Sequence, residues 1–203
     1  MNPESPLIVG IGGTMRVGST SEMALNAALG MARKLGMRVR MFAGAALVMD
    51  AYEPGTATRS PNAIALLAAL READGVLISS PSYHGSISGL LKNAIDYTED
   101  MRGDDRPYFD DRAVGCIVCA DGGQAMGSTL FAMRSIVHAL RGWPTPYAAA
   151  LSSGMRPFEA NGDIKDLEVA RQLKIVVSQV VEFAQRAQLA RTATCRLSKT
   201  GVK

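Results

Sequence analysis

Short apolar runs alternate along the chain with segments whose apolar residues recur every three to four positions. The short runs predict strands buried on both faces of a sheet, and the periodic segments predict helices. The predicted strands cover residues 7–11, 38–42, 75–80, 113–120 and 146–151. The predicted helices cover residues 22–35, 62–72, 88–98, 128–140 and 166–189. Five such alternations predict an α/β fold with a parallel sheet, right-handed crossovers and helices on both faces.

The ends of the elements follow from local residues. Thr20 or Ser21 is predicted to cap the first helix, and Gly36 is predicted to end it. Residues 44–61 form a long predicted loop. Residues 191–203 have no hydrophobic period and are predicted to be a mobile tail. No composition shift divides residues 1–190, so we expect a single domain there.

Composition narrows the function classes. The 203 residues are 47% hydrophobic and 20% charged, with a net charge of +3. Basic residues form no run and do not alternate with aromatics, so we expect no nucleic-acid partner. No stretch approaches the roughly 20 apolar residues of a membrane span, and the first residues lack the basic segment of a secretory signal. The odd count of 3 Cys argues against a disulfide framework, and we expect a cytoplasmic protein.

Two cysteines stand at a spacing that redox and zinc sites share. Cys116 and Cys119 both fall within a predicted strand, where successive side chains alternate between faces. Residues three positions apart therefore point to opposite sides. We expect buried free thiols here and no metal site.

Ligands of open parallel sheets bind at the carboxyl ends of the strands. The loops after the first, third and fourth predicted strands cover residues 12–20, 81–87 and 121–127, and all three are rich in Gly, Ser or Thr. These loops are therefore the candidate ligand site.

The first of these loops has the donors that a phosphate requires. It leads into a helix N-terminus, where unpaired N–H groups and the helix dipole favour an anion. Arg16 adds a charged donor, and four hydroxyls add more: Thr14, Ser19, Thr20 and Ser21. An NTPase P-loop would need Lys where Ser19 stands, and a dinucleotide motif would need Gly where Met15 stands. A terminal monophosphate fits best, and a Gly/Ser turn that only caps the helix is the alternative.

Three segments together resemble the NADPH-dependent FMN reductase family. Residues 13–19 match its Gly-Ser-x-Arg-x-x-Ser signature, with Thr14 in place of the first Ser. Residues 81–86 followed by 89–96 are similar to its Pro-x-Tyr-Asn/His-x-Ser and Gly-x-Leu-Lys-Asn-x-Ile-Asp segments. Gly122 and Gly123 match its Gly-Gly turn, and Arg156 begins a segment similar to its late loop. The resemblance runs from Leu7 to Ala187.

The resemblance implies a flavodoxin-like three-layer sandwich with a five-stranded parallel sheet in the order 2-1-3-4-5. It also implies an FMN site. The residues implied to hold the phosphate are Thr14, Arg16, Ser19, Thr20 and Ser21. Those implied to border the ribityl chain and the ring are Pro81, Ser82, Tyr83, His84, Gly85 and Ser86. Those implied to meet the pyrimidine edge are Asp121, Gly122, Gly123 and Gln124.

The family's reaction is hydride transfer from NADPH to flavin N5 and on to an acceptor such as free FMN or a quinone. The cofactor carries this chemistry, so we name no acid or base, and His84 is a weak candidate only. The loop with Arg102 and Arg106 either covers the site or, as we favour, is a solvated turn. Lys92, Asn93 and Asp96 are expected to place helices or to lie at a subunit interface.

Other functions remain open at the level of sequence. The chain is alternatively a flavodoxin-like electron carrier, although such carriers are strongly acidic and this chain is at +3. An azo- or chromate-type reductase and a family member that has lost flavin are further alternatives. The expected partners are a small-molecule acceptor, a flavin-dependent monooxygenase, and a second or further copy of the chain in a homodimer or homotetramer.

Overall fold

Parallel strands form one sheet in the computed structural model, which describes residues 5–199 and only the backbone of residues 194–199. Their order is β2-β1-β3-β4-β5, and β6 also pairs with β4, beyond the end of β5. The predicted order 2-1-3-4-5 is thereby confirmed. The strands are β1 Leu7–Gly12, β2 Arg38–Phe42, β3 Gly75–Pro81, β4 Ala113–Ala120, β5 Trp143–Pro144 and β6 Ala149–Ser152.

Helices cover both faces of the sheet, as predicted. They are α1 Thr20–Lys34, α2 Pro61–Glu72, α3 Gly89–Asp96, α4 Gly123–Ala139 and α5 Leu167–Lys199, with 3-10 helices at Gly44–Leu47 and Tyr97–Met101. One core cluster joins α2, α3 and α4 to the sheet, and the other joins α1 and α5 to its opposite face. None of the helices in residues 5–199 has the length and apolar character needed to cross a membrane.

Strand side chains alternate between the two core clusters, and the two cysteines of β4 follow this rule. Cys116 packs with the α2–α4 cluster, and Cys119 packs with the α1–α5 cluster. The prediction that they face opposite sides is confirmed. Burial raises the pKa of each thiol to about 12. Both are therefore protonated core residues at neutral pH.

The fifth position of the sheet differs from the prediction of one strand over residues 146–151. Two short strands, β5 and β6, pair in turn with β4. The Thr145 N–H still donates to the Val114 carbonyl of β4 at 3.0 Å, and residues 146–148 separate the two paired segments. Arg134 of α4 donates to the carbonyl oxygens of Thr145 and Pro146, at 3.2 and 2.8 Å. The Tyr147 N–H donates to the side chain of Gln179. Side chains from two helices thus replace the missing strand bonds.

The last helix is longer than predicted. It continues through Lys199 and does not end at residue 189. Arg191, the first residue of the expected tail, pairs with Asp74 and, at 2.6 Å, with Asp111. Arg191 thus anchors the helix beyond its predicted end, where the sequence shows no apolar period. The remaining residues of the predicted tail, 200–203, lie outside the described residues.

The loop of residues 102–112 lies at the amino ends of the strands, because it leads into the start of β4. Arg106 donates to the carbonyl oxygens of Ala73 and Asp111 there. Arg112 is fully buried and donates to four backbone carbonyls. The idea that this loop covers the candidate site is therefore wrong, since that site is at the opposite edge of the sheet.

Candidate functional site

The candidate loops meet at the carboxyl edge of the sheet. The Gly13 N–H donates to the Ser79 carbonyl at 2.9 Å, which joins the first loop to β3. The Ser82 N–H donates to the Cys119 carbonyl at 2.9 Å, which joins the second loop to β4. The β4 end continues into α4 at Gly123. The three segments predicted from sequence therefore form one continuous edge.

The first loop, residues 13–19, ends in a capped helix. Ser19 is the N-cap of α1, and its Oγ accepts the Glu22 N–H at 3.3 Å. The predicted caps Thr20 and Ser21 are instead the first two helical residues. Thr14 Oγ1 accepts the Arg16 N–H at 3.1 Å and so folds the loop back on itself. The hydroxyl residues line the loop and are buried: Thr14, Ser19, Thr20 and Ser21.

Arg16 projects from this loop into solvent. Within residues 5–199 its guanidinium makes no ion pair with a carboxylate. An unpaired guanidinium, buried hydroxyls and the free N–H groups of a first helical turn form a donor set for an anion. Phosphate monoesters match this donor set in charge and in their number of acceptor oxygens.

Glu22, in the first turn of α1, contacts this loop, and sequence analysis missed it. Its Oε2 accepts the Gly18 N–H at 2.6 Å. The signal was present, because Ser19 and Glu22 have the Ser-x-x-Glu spacing of a capping box. An acidic group therefore lies among the donors of the loop.

The second loop presents a tight turn to the site. Tyr83 and Ser86 exchange two backbone hydrogen bonds of 2.9 and 3.1 Å. His84 and Gly85 between them have φ values of +52° and +79°, as in a type I′ turn. Glycine adopts this conformation freely, whereas the non-glycine His84 is strained there. The Tyr83 side chain is 54% exposed beside the edge.

Ser82 of the second loop also contacts α4. Its hydroxyl donates to the Ala125 carbonyl at 3.1 Å and lies 2.7 Å from Thr129 Oγ1. Thr129 is fully buried in α4. The Ser82 side chain therefore links the second loop to α4. Sequence analysis missed Thr129, because only the folded contact identifies it.

The third segment is mostly helical. Residues 123–127, predicted as loop, are the first residues of α4, and Gly122 is its N-cap with no side-chain cap bond. The first N–H groups of this helix are therefore open to a ligand. Asp121, Gly122, Gly123 and Gln124 are all exposed. The late loop reaches this point too, since the Ser153 N–H donates to the Ala120 carbonyl at 3.1 Å.

The three segments match the separate chemical parts of FMN, its phosphate and its flavin ring. The first loop offers phosphate donors, and the next segments offer a flat, largely backbone surface beside an exposed tyrosine ring. A side chain at Gly85 would approach Ser128 Oγ of α4 to 3.3 Å, so the turn and the helix are already close. Glycines here leave room for a planar ring beside the backbone.

Asn93 acts at a distance from this edge, as the expectation of a placement role implied. Its side chain accepts the Tyr52 N–H at 2.8 Å and donates to the Asp50 carbonyl at 2.9 Å. Lys92 and Asp96 form an exposed ion pair of 2.6 Å on α3. Asn93 thus fixes the long loop after β2 against α3.

Comparisons with known proteins agree with this geometry. Solved structures with the same fold include an NADH:FMN oxidoreductase in its apo form, with a TM-score of 0.69 and 19% identity over 90% of both chains. Another is the NAD(P)H:(acceptor) oxidoreductase FerB from Paracoccus denitrificans, with a TM-score of 0.69 and 19% identity over 90% of this chain and 98% of that one. A WrbA-like flavodoxin from Agrobacterium tumefaciens has a TM-score of 0.61 and 14% identity over 90% and 99% of the chains. At these identities the likeness shows the flavodoxin-like fold.

Sequence relatives give the family. An FMN-dependent NADPH-azoreductase of Staphylococcus aureus (strain USA300) is 31% identical over 119 residues, which is 57% of this chain and 58% of that protein. The chain thus matches less than two thirds of the length of these curated relatives. A family model described as NADPH-dependent FMN reductase matches residues 6–155. Because that match covers well over half of the chain, and because the predicted signature loops meet at one edge, the chain belongs to the NADPH-dependent FMN reductase family.

Proposed function

We propose that this protein binds FMN and transfers hydride from NADPH through the flavin to a small-molecule acceptor. The observation that carries the proposal is the adjacency of three features at one sheet edge. They are the first loop (residues 13–19) with the start of α1, the turn at the exposed Tyr83, and the open N-terminus of α4. Family membership supports the same activity.

In this proposal the phosphate is held at the first loop. Arg16 supplies the charge, and the first N–H groups of α1 supply directional donors. The hydroxyls of the loop complete the set: Thr14, Ser19, Thr20 and Ser21. Because these hydroxyls are buried already, little side-chain entropy is lost when the phosphate binds.

The ring is placed between the second and third segments. Tyr83 and His84 border it from the turn, together with Pro81, Ser86 and the backbone of Ser82 and Gly85. Open N–H groups at Gly123 and Gln124 face its polar edge, with Asp121 and Gly122 beside them. Bound FMN supplies the hydride chemistry, and the protein's residues bind it, orient it and cover one side.

The electron acceptor and the partners of the protein are further parts of this proposal. Because the Staphylococcus aureus relative is an azoreductase, azo compounds are among the acceptors to test, beside free FMN and quinones. A flavin-dependent monooxygenase that receives reduced FMN is a proposed partner. We also propose a cytoplasmic homodimer or homotetramer. Phe131 of α4 is 78% exposed, and an exposed large apolar side chain of this kind supports association through α4.

Steady-state kinetics test the activity. NADPH and NADH are each paired with free FMN, a quinone and an azo dye, and oxidation of the nicotinamide is followed. The proposal predicts FMN-dependent turnover with at least one acceptor. Protein that takes up FMN but shows no turnover with any of them is an electron carrier and overturns the proposed activity.

The phosphate assignment has a sharper test. Arg16→Ala removes a charged hydrogen-bond donor and should weaken FMN binding by roughly tenfold or more, since such bonds contribute about 1.5–3 kcal/mol. Riboflavin, which has no phosphate, should bind both proteins equally. His84→Ala should have the smaller effect on FMN. Arg102→Ala, which removes an exposed arginine at the opposite edge, is the matched control. An equal or larger effect at His84 contradicts the assignment.

A further inference from the structure

Glu22 places a carboxylate in the loop that is proposed to hold the FMN phosphate. Its Oε2 lies 2.6 Å from the Gly18 nitrogen and accepts that N–H. Gly18 directly precedes the N-cap Ser19, so the bonded carboxylate lies beside the helix N-terminus whose first N–H groups are open to an anion. An incoming phosphate at this helix end would therefore meet a negative charge.

No cation neutralises this carboxylate in the described part of the chain. Arg16 lies in the same loop but forms no ion pair with it. Glu22 instead lies in the first turn of α1, where the helix dipole stabilises a negative charge. That same dipole is part of what attracts a phosphate. A carboxylate and a phosphate would then share one helix end.

We propose that Glu22 is a specificity residue that weakens the retention of the flavin phosphate. Its carboxylate, in the first turn of α1, repels the charge of the phosphate. This lowers the advantage of FMN over riboflavin and favours flavin that exchanges during turnover. The inference rests on the proposed FMN site and adds to it the sign of one residue's effect on affinity.

If Glu22 had only a structural role, its replacement would change FMN affinity in the opposite direction. If Glu22 only closes the capping box, removing its interaction loosens the loop and weakens FMN binding. Glu22→Gln separates the two roles, because Gln keeps an acceptor oxygen for the Gly18 N–H and loses the charge. Glu182→Gln on α5 is the matched control, since it makes the same change at an exposed site that pairs with Arg186.

The experiment measures dissociation constants of FMN and riboflavin by fluorescence titration of the wild type, Glu22→Gln and Glu182→Gln. Glu22→Gln should bind FMN roughly three- to tenfold more tightly, as expected for one charge removed several ångströms from a phosphate in a partly solvated site. The gain should shrink at high salt, because salt screens exposed charges. Riboflavin affinity should stay unchanged, and Glu182→Gln should match the wild type.

The outcomes are distinguishable. Unchanged or weaker FMN binding by Glu22→Gln, with FMN binding intact in the wild type, overturns the inference and leaves the proposed function standing. Equal tightening for riboflavin also overturns it, because the effect would then not act through the phosphate. A wild type and a variant that both take up no FMN overturn the proposed function and the inference with it.

Discussion

Gly13 begins the first loop and packs against the start of α3. Gly13→Ala should therefore affect both the stability of the fold and the binding of FMN. A Cβ at this position would lie 2.8 Å from Ser88 Oγ, 3.1 Å from Leu91 Cβ and 3.3 Å from Ser80 Oγ. Ser88 is the N-cap of α3, and its Oγ accepts the Leu91 N–H. The new methyl group therefore meets a functioning helix cap.

Two ways of relieving this contact both cost free energy. If Ser88 rotates away, the cap bond is lost, at about 1 kcal/mol. If the first loop shifts, the packing at its base is disturbed, at about 1–3 kcal/mol. We therefore expect Gly13→Ala to lower the free energy of unfolding by about 2 kcal/mol. For a chain of this length, Tm should fall by about 4–8 °C.

Urea unfolding and FMN titration together check this reasoning. Because the first loop starts at Gly13, FMN affinity should fall along with stability. Gly30→Ala is the control, since a Cβ inside α1 at that position meets nothing within 4 Å and should stabilise the helix by about 0.5–1 kcal/mol. A Gly13→Ala protein with wild-type Tm and wild-type FMN affinity would refute the close-contact argument.

Other predictions address the remaining contacts. Thr129→Val should weaken FMN binding severalfold, because it removes a hydroxyl that joins α4 to the second loop. The control Thr98→Val, an equally buried change just beyond the end of α3, should lower only the free energy of unfolding. Equal effects of the two changes on FMN affinity would contradict this prediction. A thiol reagent at pH 8 should label neither Cys116 nor Cys119 before unfolding, as peptide mapping would show, because burial raises the pKa of each thiol to about 12. The Arg59 guanidinium, hydrogen-bonded to Asp100, lowers the pKa of that carboxyl below its ordinary 3.8. The stability that this pair contributes is therefore present above pH 3.8 and is lost as the pH falls through the lower pKa of the folded state. The gap in urea midpoint between the wild type and Asp100→Asn should close in acid, and a gap that persists would refute it.

The sheet was predictable because its strands carry their own signal. β2 and β4 begin and end at the predicted residues, since apolar runs and bounding turns are local features. The break between β5 and β6 was not predicted, because the Arg134 side chain that binds its carbonyl oxygens comes from another element. The extension of α5 was likewise not predicted, because the acids that Arg191 pairs with lie on two distant segments of the chain.

The candidate site was predictable in position and less so in detail. Its loops follow from the fold, since parallel strands bring their carboxyl ends to one edge. The directions of the side chains did not follow from the fold; the Ser82 hydroxyl, for example, contacts Thr129 of α4. The start of α4 was missed because Gly122 caps it without a side chain. Glu22 was overlooked although its spacing from Ser19 is a local signal.

Anaerobic mixing of the FMN-loaded protein with NADPH, followed by the absorbance of the flavin, tests the central claim most directly. The account predicts rapid bleaching of the flavin band and its return when an acceptor is added. Arg16→Ala should show the same chemistry once loaded with excess FMN, because it changes binding and not hydride transfer. Wild-type protein that takes up no FMN, or whose bound FMN keeps its colour with NADPH, would contradict the account.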